Sequence, residues 1–270
     1  YKRQTLGGIY GRDARSAITT LTLWGGFAST VCWPLSALFI EHLGWRWSCA
    51  AYAAIQLGIC LPLTLFVLPG KGRTAPAEAD RQGAIRLSGT ARRAYLIMMA
   101  IMVLTGLSVT IVSVHLLTML QGRGLSLAEA VALGALIGPA QVTARLIEMA
   151  SGGRHHPIWT LAAAAGLSAV GLAMLALGLP LVGAAIFLYA AGNGIFSIAR
   201  GALPLALFGA ERYALIMGRL ARPSLIAQAI APTLGAVLLT TAGADWTLNV
   251  LAGLALANIA LVIVLCRCID

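Results

Sequence analysis

The chain has 270 residues, of which 59% are hydrophobic and only 10% are charged. Soluble domains carry about 25% charged and about 45–50% apolar residues, so this composition excludes an ordinary soluble globular protein. The net charge of +10 is segregated along the chain rather than gathered into one basic patch, and we therefore expect no nucleic-acid partner.

Long intervals without Asp, Glu, Lys or Arg predict membrane-spanning helices, because a hydrocarbon core about 30 Å thick needs about 20 helical residues. The interval 155–199 is long enough for two spans with a turn at 178–180, whereas three charged residues interrupt 127–150. These runs lack the alternation of apolar and polar residues that is typical of membrane β-strands. We predict an all-α integral membrane protein, a polytopic bundle of eight helices at 16–40, 47–69, 94–120, 127–150, 157–178, 180–199, 223–243 and 246–266.

The basic residues orient these helices. If the N-terminus is cytoplasmic, seventeen Lys and Arg side chains fall on the cytoplasmic side and only Arg46 and Arg123 on the other. This asymmetry is what the positive-inside rule produces, and it predicts that both termini are cytoplasmic. The five cysteines show no disulfide or metal spacing.

The longest polar stretch divides the chain. Residues 70–93 are rich in Pro, Gly and Arg, and we interpret them as a cytoplasmic linker between a partial N-terminal bundle, 1–69, and a C-terminal six-helix bundle, 94–270. Segments 11–34 and 209–232 each begin with Gly-x-acid, reach a Pro after the same spacing and continue into a Gly and a Trp. Chance is one explanation. The other is a protein built from two six-helix halves.

Three stretches resemble bacterial transporters of the major facilitator superfamily. They are GGFASTVCWPLSALFIEHLGWRW (25–47), LIGPAQVTARLIE (136–148) and GALPLALFGAERYALIMGRLARPSLIAQAIAP (201–232). By this resemblance the eight spans correspond to the C-terminal two thirds of a twelve-helix fold, helices five to twelve. The first four helices would be absent from the chain and would act as a partner.

The resemblance implies a secondary active transporter of small organic solutes in a bacterial inner membrane, proton-coupled and working by alternating access. A non-transporting membrane scaffold or regulatory protein, or an inactive truncated fragment of a carrier, is the alternative. Neither a phosphate-binding Gly-rich Lys-Ser/Thr loop nor a Gly-x-Ser-x-Gly or HExxH motif occurs, so we predict no enzyme and no cofactor. We also predict no metal site, because His155 and His156 point about 100° apart on a helix.

Gln141, Arg145 and Glu148 follow i, i+4 and i+7 spacing and therefore share one helical face. Arg145 and Glu148 are close enough in sequence to form an ion pair. By resemblance they match a charged junction that clamps the inner face of the C-terminal half, which makes all three residues candidates for a conformational latch. The alternative is an arginine that extends towards the headgroups and forms a local ion pair.

Four polar residues in the predicted spans are candidates for a substrate or proton pathway: His115, Glu129, Asn193 and Gln228. Each has a structural alternative. The histidine can bond to a neighbouring Ser or Thr, and Glu129 can close a capping box with Ser126. Asn193, between two glycines, can mark close helix packing, and Gln228 is a weaker candidate of the same kind.

Overall fold

The computed structural model describes residues 35–36, 38–66, 89–151 and 155–269. The chain divides into two compact units, Ala28–Ser88 and Tyr1–Phe27 together with Gly89–Asp270. The described part of the first unit is a helical stretch, α1, Leu38–Phe66. It changes direction at Gly44, where φ is 72°.

The described part of the second unit is helical apart from short turns. Its helices are α2 Gly89–Gln121, α3 Leu127–Ala150, α4 Pro157–Ala176, α5 Val182–Gly209, α6 at 210–242 and α7 at 244–269. Helical residues run without a gap from Val182 to Ile269, but Gly209 and Gly243 have φ of 74° and 82° and separate three helices. Glycine adopts this left-handed conformation without steric penalty.

Each helix predicted within 94–270 is confirmed as helical, but several ends differ. Helix α2 begins at Gly89, so 89–93 are helical rather than part of the linker, and α5 continues ten residues beyond the predicted 199. The prediction ended each span at its first charge, whereas a helix continues through the headgroups. The 28 residues of α5 measure about 42 Å at 1.5 Å each, close to the full bilayer thickness of about 40–45 Å.

Among the described residues, six helical stretches are long and apolar enough to cross a membrane, against the eight predicted for the whole chain. Most of the predicted span 16–40 lies outside the described residues, as do 67–69 of the next span and 70–88 of the linker. The predicted seventh and eighth spans fall within one stretch, Leu215–Cys268. Gly243 interrupts this stretch of 54 residues near its middle.

A local irregularity divides α3 into Leu127–Gly134 and Ile137–Ala150. Pro139 follows the break, and its missing N–H cannot bond to the carbonyl of residue 135. The sequence therefore accounts for a bend between the polar N-terminal cap of α3 and its charged C-terminal third.

The second unit is apolar both inside and outside. Its inward side chains from α2, α4, α5 and α7 form the main core, including fully buried Met119, Leu172 and Leu251. Many large aliphatic side chains are nevertheless exposed, such as Leu225 and Ile226 on α6. An apolar surface of this kind is stable in contact with lipid and unstable in water. The unit is therefore a membrane-embedded helical bundle.

The Gly-Trp segments that follow the two copies of the weak repeat share a local structure, whereas copy 11–34 itself lies outside the described residues. Gly44 and Gly243 both have positive φ, and a hydroxyl four residues later donates to the carbonyl of each glycine, at 2.7 Å from Ser48 and 2.8 Å from Thr247. In both copies the residue before the hydroxyl is an exposed tryptophan, at 47 and 246. The matching pattern is thus Gly-x-x-Trp-Ser/Thr, and the match extends from sequence to backbone conformation.

Arg123 contacts two other interhelical turns at one end of the bundle from its own turn after α2. Its Nε donates to Oδ1 of Asp245 at 2.7 Å, and its Nη atoms donate to the carbonyls of Leu175 and Ala176 at the end of α4. A cation there satisfies carbonyls that lack a partner within their own helix. The turns that follow α2, α4 and α6 consequently lie together, as an up-and-down path of α2–α7 requires.

The carbonyl contacts of Arg123 should stabilise the bundle more than its ion pair does. The side chain of Arg123 is 19% exposed and that of Asp245 is 78% exposed, and exposed pairs contribute at most about 1 kcal/mol. We expect Arg123→Gln to lower the stability of the purified protein by about 1–3 kcal/mol, and Asp245→Asn to lower it much less. Thermal unfolding in detergent measures both, and equal losses would show that the ion pair dominates.

Candidate functional site

Arg145 is buried inside the bundle, with 8% of its surface exposed. Its Nε donates to the carbonyl of Gly194 and to Oγ of Ser197, both at 3.2 Å, and its Nη2 donates to Oε1 of Gln141 at 3.2 Å. Nη1 is buried and has no hydrogen-bond partner among the described residues. Arg145 therefore has neutral partners only, and part of its donor capacity is unused.

The direction of the side chain argues against an arginine that reaches for the headgroups. Arg145 lies near the Ala150 end of α3, and a side chain seeking that end would extend towards it. Instead it contacts Gln141, one turn farther into the helix, and the neighbouring helix α5 at Gly194. The guanidinium points into the bundle.

The prediction of an ion pair between Arg145 and Glu148 is wrong. Glu148 accepts a hydrogen bond of 2.6 Å from Oγ1 of Thr160 on α4, whereas Arg145 contacts α5. The i, i+3 spacing brings side chains together on an isolated helix, but α3 packs here between two neighbours that each offer a polar partner. The latch role remains a prediction for these residues, without the ion pair.

A close helix contact holds the arginine against α5. A Cβ added to Gly194 would lie 2.8 Å from both the Cα and the carbonyl oxygen of Gln141, nearer than real Cβ atoms approach backbone. Only glycine permits this approach, so Gly194 brings its own carbonyl and the hydroxyl of Ser197 within reach of Arg145. Small residues have this role in many membrane helix pairs.

The environment of Arg145 is energetically demanding. A buried donor without a partner costs about 1–3 kcal/mol, and more when the group is charged. The neighbouring helices α4 and α5 contain no Asp or Glu, and the carboxylate of Glu148 bonds elsewhere. No carboxylate of a described residue compensates this positive charge.

Glu129 forms the capping box that its spacing predicts. Its carboxylate accepts from the backbone N–H and the hydroxyl of Ser126 at 2.8 and 2.7 Å, while its own N–H donates to the Ser126 hydroxyl. Glu129 is exposed at the start of α3, at the opposite end of that helix from Arg145. The structure thus assigns Glu129 a helix-capping role.

His115 and Gln228 both lie between α2 and α6, away from the Arg145 contacts. Nε2 of His115 lies 2.9 Å from the carbonyl oxygen of Pro232, and Gln228 donates to the Ser224 carbonyl at 3.2 Å and to its hydroxyl at 3.0 Å. The hydrogen bond of His115 is therefore to backbone, not to the neighbouring Ser or Thr that was the alternative. Gln228 is bonded within its own helix.

Asn193 lies one turn from Ser197 on α5 and is half-buried. Within the described part of the chain its amide has no hydrogen bond. Packing is tight on either side, because a Cβ at Gly192 would lie 2.6 Å from the carbonyl of Ala164. Asn193 is thus a polar group one turn from Ser197, a contact of Arg145, and has no hydrogen-bond partner of its own among these residues.

A small cavity of about 30 Å³, open on one side, lies between α2, α4, α5 and α7. Its walls are mainly apolar, with a few polar groups that include Thr105, Ser168 and Asn258. Asn258 donates to Oγ1 of Thr105 at 2.7 Å, and its Oδ1 is buried without a hydrogen-bond partner in the described structure. The cavity is a second place where polar groups face each other inside the bundle.

The structure brings only Gln141 and Arg145 of the predicted set into direct contact, and it adds residues that the sequence did not reveal. Gly194, Ser197 and Thr160 are common residues in a small-residue-rich bundle. Their positions in the sequence carry no signal of a role, because their partners come from other helices. His156, considered as a metal ligand and rejected, accepts from the N–H of Ile158 and caps α4.

No family model, curated protein or solved structure matches the chain.

The close contact at Gly194 predicts a specific sensitivity. Gly194→Ala should lower the stability of the bundle by about 1–3 kcal/mol, because the added Cβ forces α3 and α5 apart. Thermal unfolding of the purified protein in detergent measures this loss. Gly166→Ala is the matched control, since nothing lies within 4 Å of the added Cβ in the middle of α4. Equal stability of the two variants would contradict the close contact.

Proposed function

We propose that the chain is a secondary active transporter of small organic solutes that works by alternating access. The observation that carries this proposal is Arg145, a charged side chain buried among neutral groups in a membrane-embedded bundle. Charged residues inside membrane helices are expensive, with about 2.5–3.5 kcal/mol for an Arg at mid-helix on insertion scales, and those that persist commonly mark solute or ion pathways.

The shared structure of the repeat supports a carrier of two related halves. The turn and hydroxyl bond at Gly44 and Ser48 recur at Gly243 and Thr247. Transporters built from repeats place their substrate between them. Together with the sequence resemblance, this favours an architecture like that of the major facilitator superfamily.

The proposed topology has eight crossings. Leu215–Cys268 would cross the membrane twice and turn at Gly243, since one helix of its 54 residues would measure about 81 Å. The charge asymmetry supports a topology with both termini on the cytoplasmic side, and we propose a bacterial inner membrane. The end of the bundle that holds Arg123 would then face outward.

The polar residues divide into two groups in this proposal. Arg145 and Gln141 would belong to the part of the pathway that changes between the inward- and outward-open states, with Glu148 holding α3 to α4 through Thr160. His115 is the candidate for proton coupling, because an imidazole can accept and release a proton and this one is half-buried within the bundle. The capping role of Glu129 makes that residue a weaker candidate.

Transport by proteoliposomes that carry the full gene product tests the proposal. A pH-sensitive dye inside the vesicles would report proton movement when succinate, arabinose or a quaternary amine is added in turn. We expect at least one of these classes to drive proton movement. We also expect Arg145→Ala to lower the response at least about tenfold, because a tenfold change corresponds to about 1.4 kcal/mol, roughly one interaction of a buried charged group.

Arg222→Ala is the matched control, since Arg222 is exposed on α6 and its loss removes the same charge. It should leave transport near normal. Absence of solute-driven proton movement with every class would favour a scaffold or regulatory protein. Equal transport by Arg145→Ala and wild type would show that the buried arginine has no part in the pathway.

A further inference from the structure

We propose that the Arg145 guanidinium is an oxyanion-binding group, so that the ligand of this site carries a carboxylate or phosphate. This inference rests on the proposed transport function for the route by which a ligand arrives. It deepens that proposal by naming the chemical class of the solute. The binding group is the unused Nη1 edge of the arginine.

Several N–H donors of Arg145 are unused and could bind an anion. A guanidinium has five N–H donors. Nε is shared between Gly194 and Ser197, and Nη2 donates one bond to Gln141, so both donors of Nη1 and one of Nη2 are unused. Two N–H groups of one guanidinium edge match the two oxygens of a carboxylate or the oxygens of a phosphate.

The charge balance also favours an anion. The acceptors already present are a carbonyl, a hydroxyl and an amide oxygen, all of them neutral. The one carboxylate within a turn, Glu148, bonds to Thr160. A ligand with a negative charge would compensate Arg145, whereas a cationic or neutral ligand would leave the buried charge as it is.

Two half-buried polar side chains contact the arginine, and a third lies one turn farther along α5. Gln141 and Ser197 bond to it directly, and Asn193 lies one turn from Ser197 with its amide unengaged among described residues. Amides and hydroxyls of this kind fix the orientation of a ligand whose charge the arginine holds. The arrangement suits a small organic anion with an additional polar group.

An oxyanion has two possible sources, a soluble solute or the headgroup of an anionic lipid. Their chemistry at the guanidinium is the same, so binding must be measured with both. The full protein, purified in an uncharged detergent, would be titrated with sodium benzoate, with sodium succinate and with phosphatidylglycerol. Sodium chloride at the same ionic strength is the reference for non-specific screening.

We expect benzoate or succinate to raise the Tm by at least about 3 °C over sodium chloride, since a ligand that binds only the folded state stabilises it. Arg145→Gln should abolish this shift, whereas Arg222→Gln should retain it. A rise with phosphatidylglycerol alone, again lost in Arg145→Gln, would assign the oxyanion site to lipid. No rise in wild type with any of the three, or an equal rise in Arg145→Gln, would overturn the proposal.

Arg145→Lys keeps the test decisive if Arg145→Gln does not fold. Lysine retains the charge but lacks the planar pair of donors, and we expect its Tm shift to fall at least about threefold on the same scale. A full shift in Arg145→Lys would contradict recognition by the guanidinium edge. Binding is measured without a gradient, so the two proposals can fail separately. Anion binding without transport would refute only the transport function. Transport of a neutral or cationic solute without anion binding would refute only this inference.

Discussion

Lipid as the surrounding solvent is the constraint on which the rest of this structure depends. In the hydrocarbon region no water is available to backbone groups, so every crossing segment must satisfy its own hydrogen bonds as a helix. The same solvent removes the hydrophobic force between helices, and close contact through small residues takes its place. The glycines at 171, 192 and 194 have backbone or side-chain atoms of a neighbouring helix where a Cβ would stand. Close packing at Gly194 is what places α5 against Arg145.

The buried arginine is energetically unfavourable under this constraint. Several polar groups in the bundle are paired across helices, as Asn258 with Thr105 and Glu148 with Thr160. Arg145 is the exception among described charged side chains, because it alone is buried, and its partners are neutral and its Nη1 is unused. A bundle that retains such a residue is less stable than one with an aliphatic side chain there, since a buried charge is expensive. Function is the physical reason we propose for its retention.

The sequence predicted those features whose causes are local. Apolar runs located the helices because segments surrounded by lipid must be apolar. The spacing of Ser126 and Glu129 predicted the capping box. Helix ends were missed where charges lie in the headgroup region, as in α5. The pairing of Arg145 with Glu148 was wrong, because spacing along one helix says nothing about the helices beside it. The two residues of another helix that contact Arg145, Gly194 and Ser197, are 49 and 52 positions away along the chain, and only packing brings them together.

Cysteine labelling in intact bacterial cells tests the lipid-embedded topology most directly. In the full protein with its native cysteines replaced, single cysteines would be placed at Leu179, between α4 and α5, and at Ala77, in the stretch between α1 and α2. A membrane-impermeant maleimide should label Leu179→Cys in intact cells and Ala77→Cys only after the cells are opened. Labelling of Ala77→Cys from outside would contradict the cytoplasmic placement of that stretch, and labelling of both cysteines from outside would contradict the alternating path of the helices.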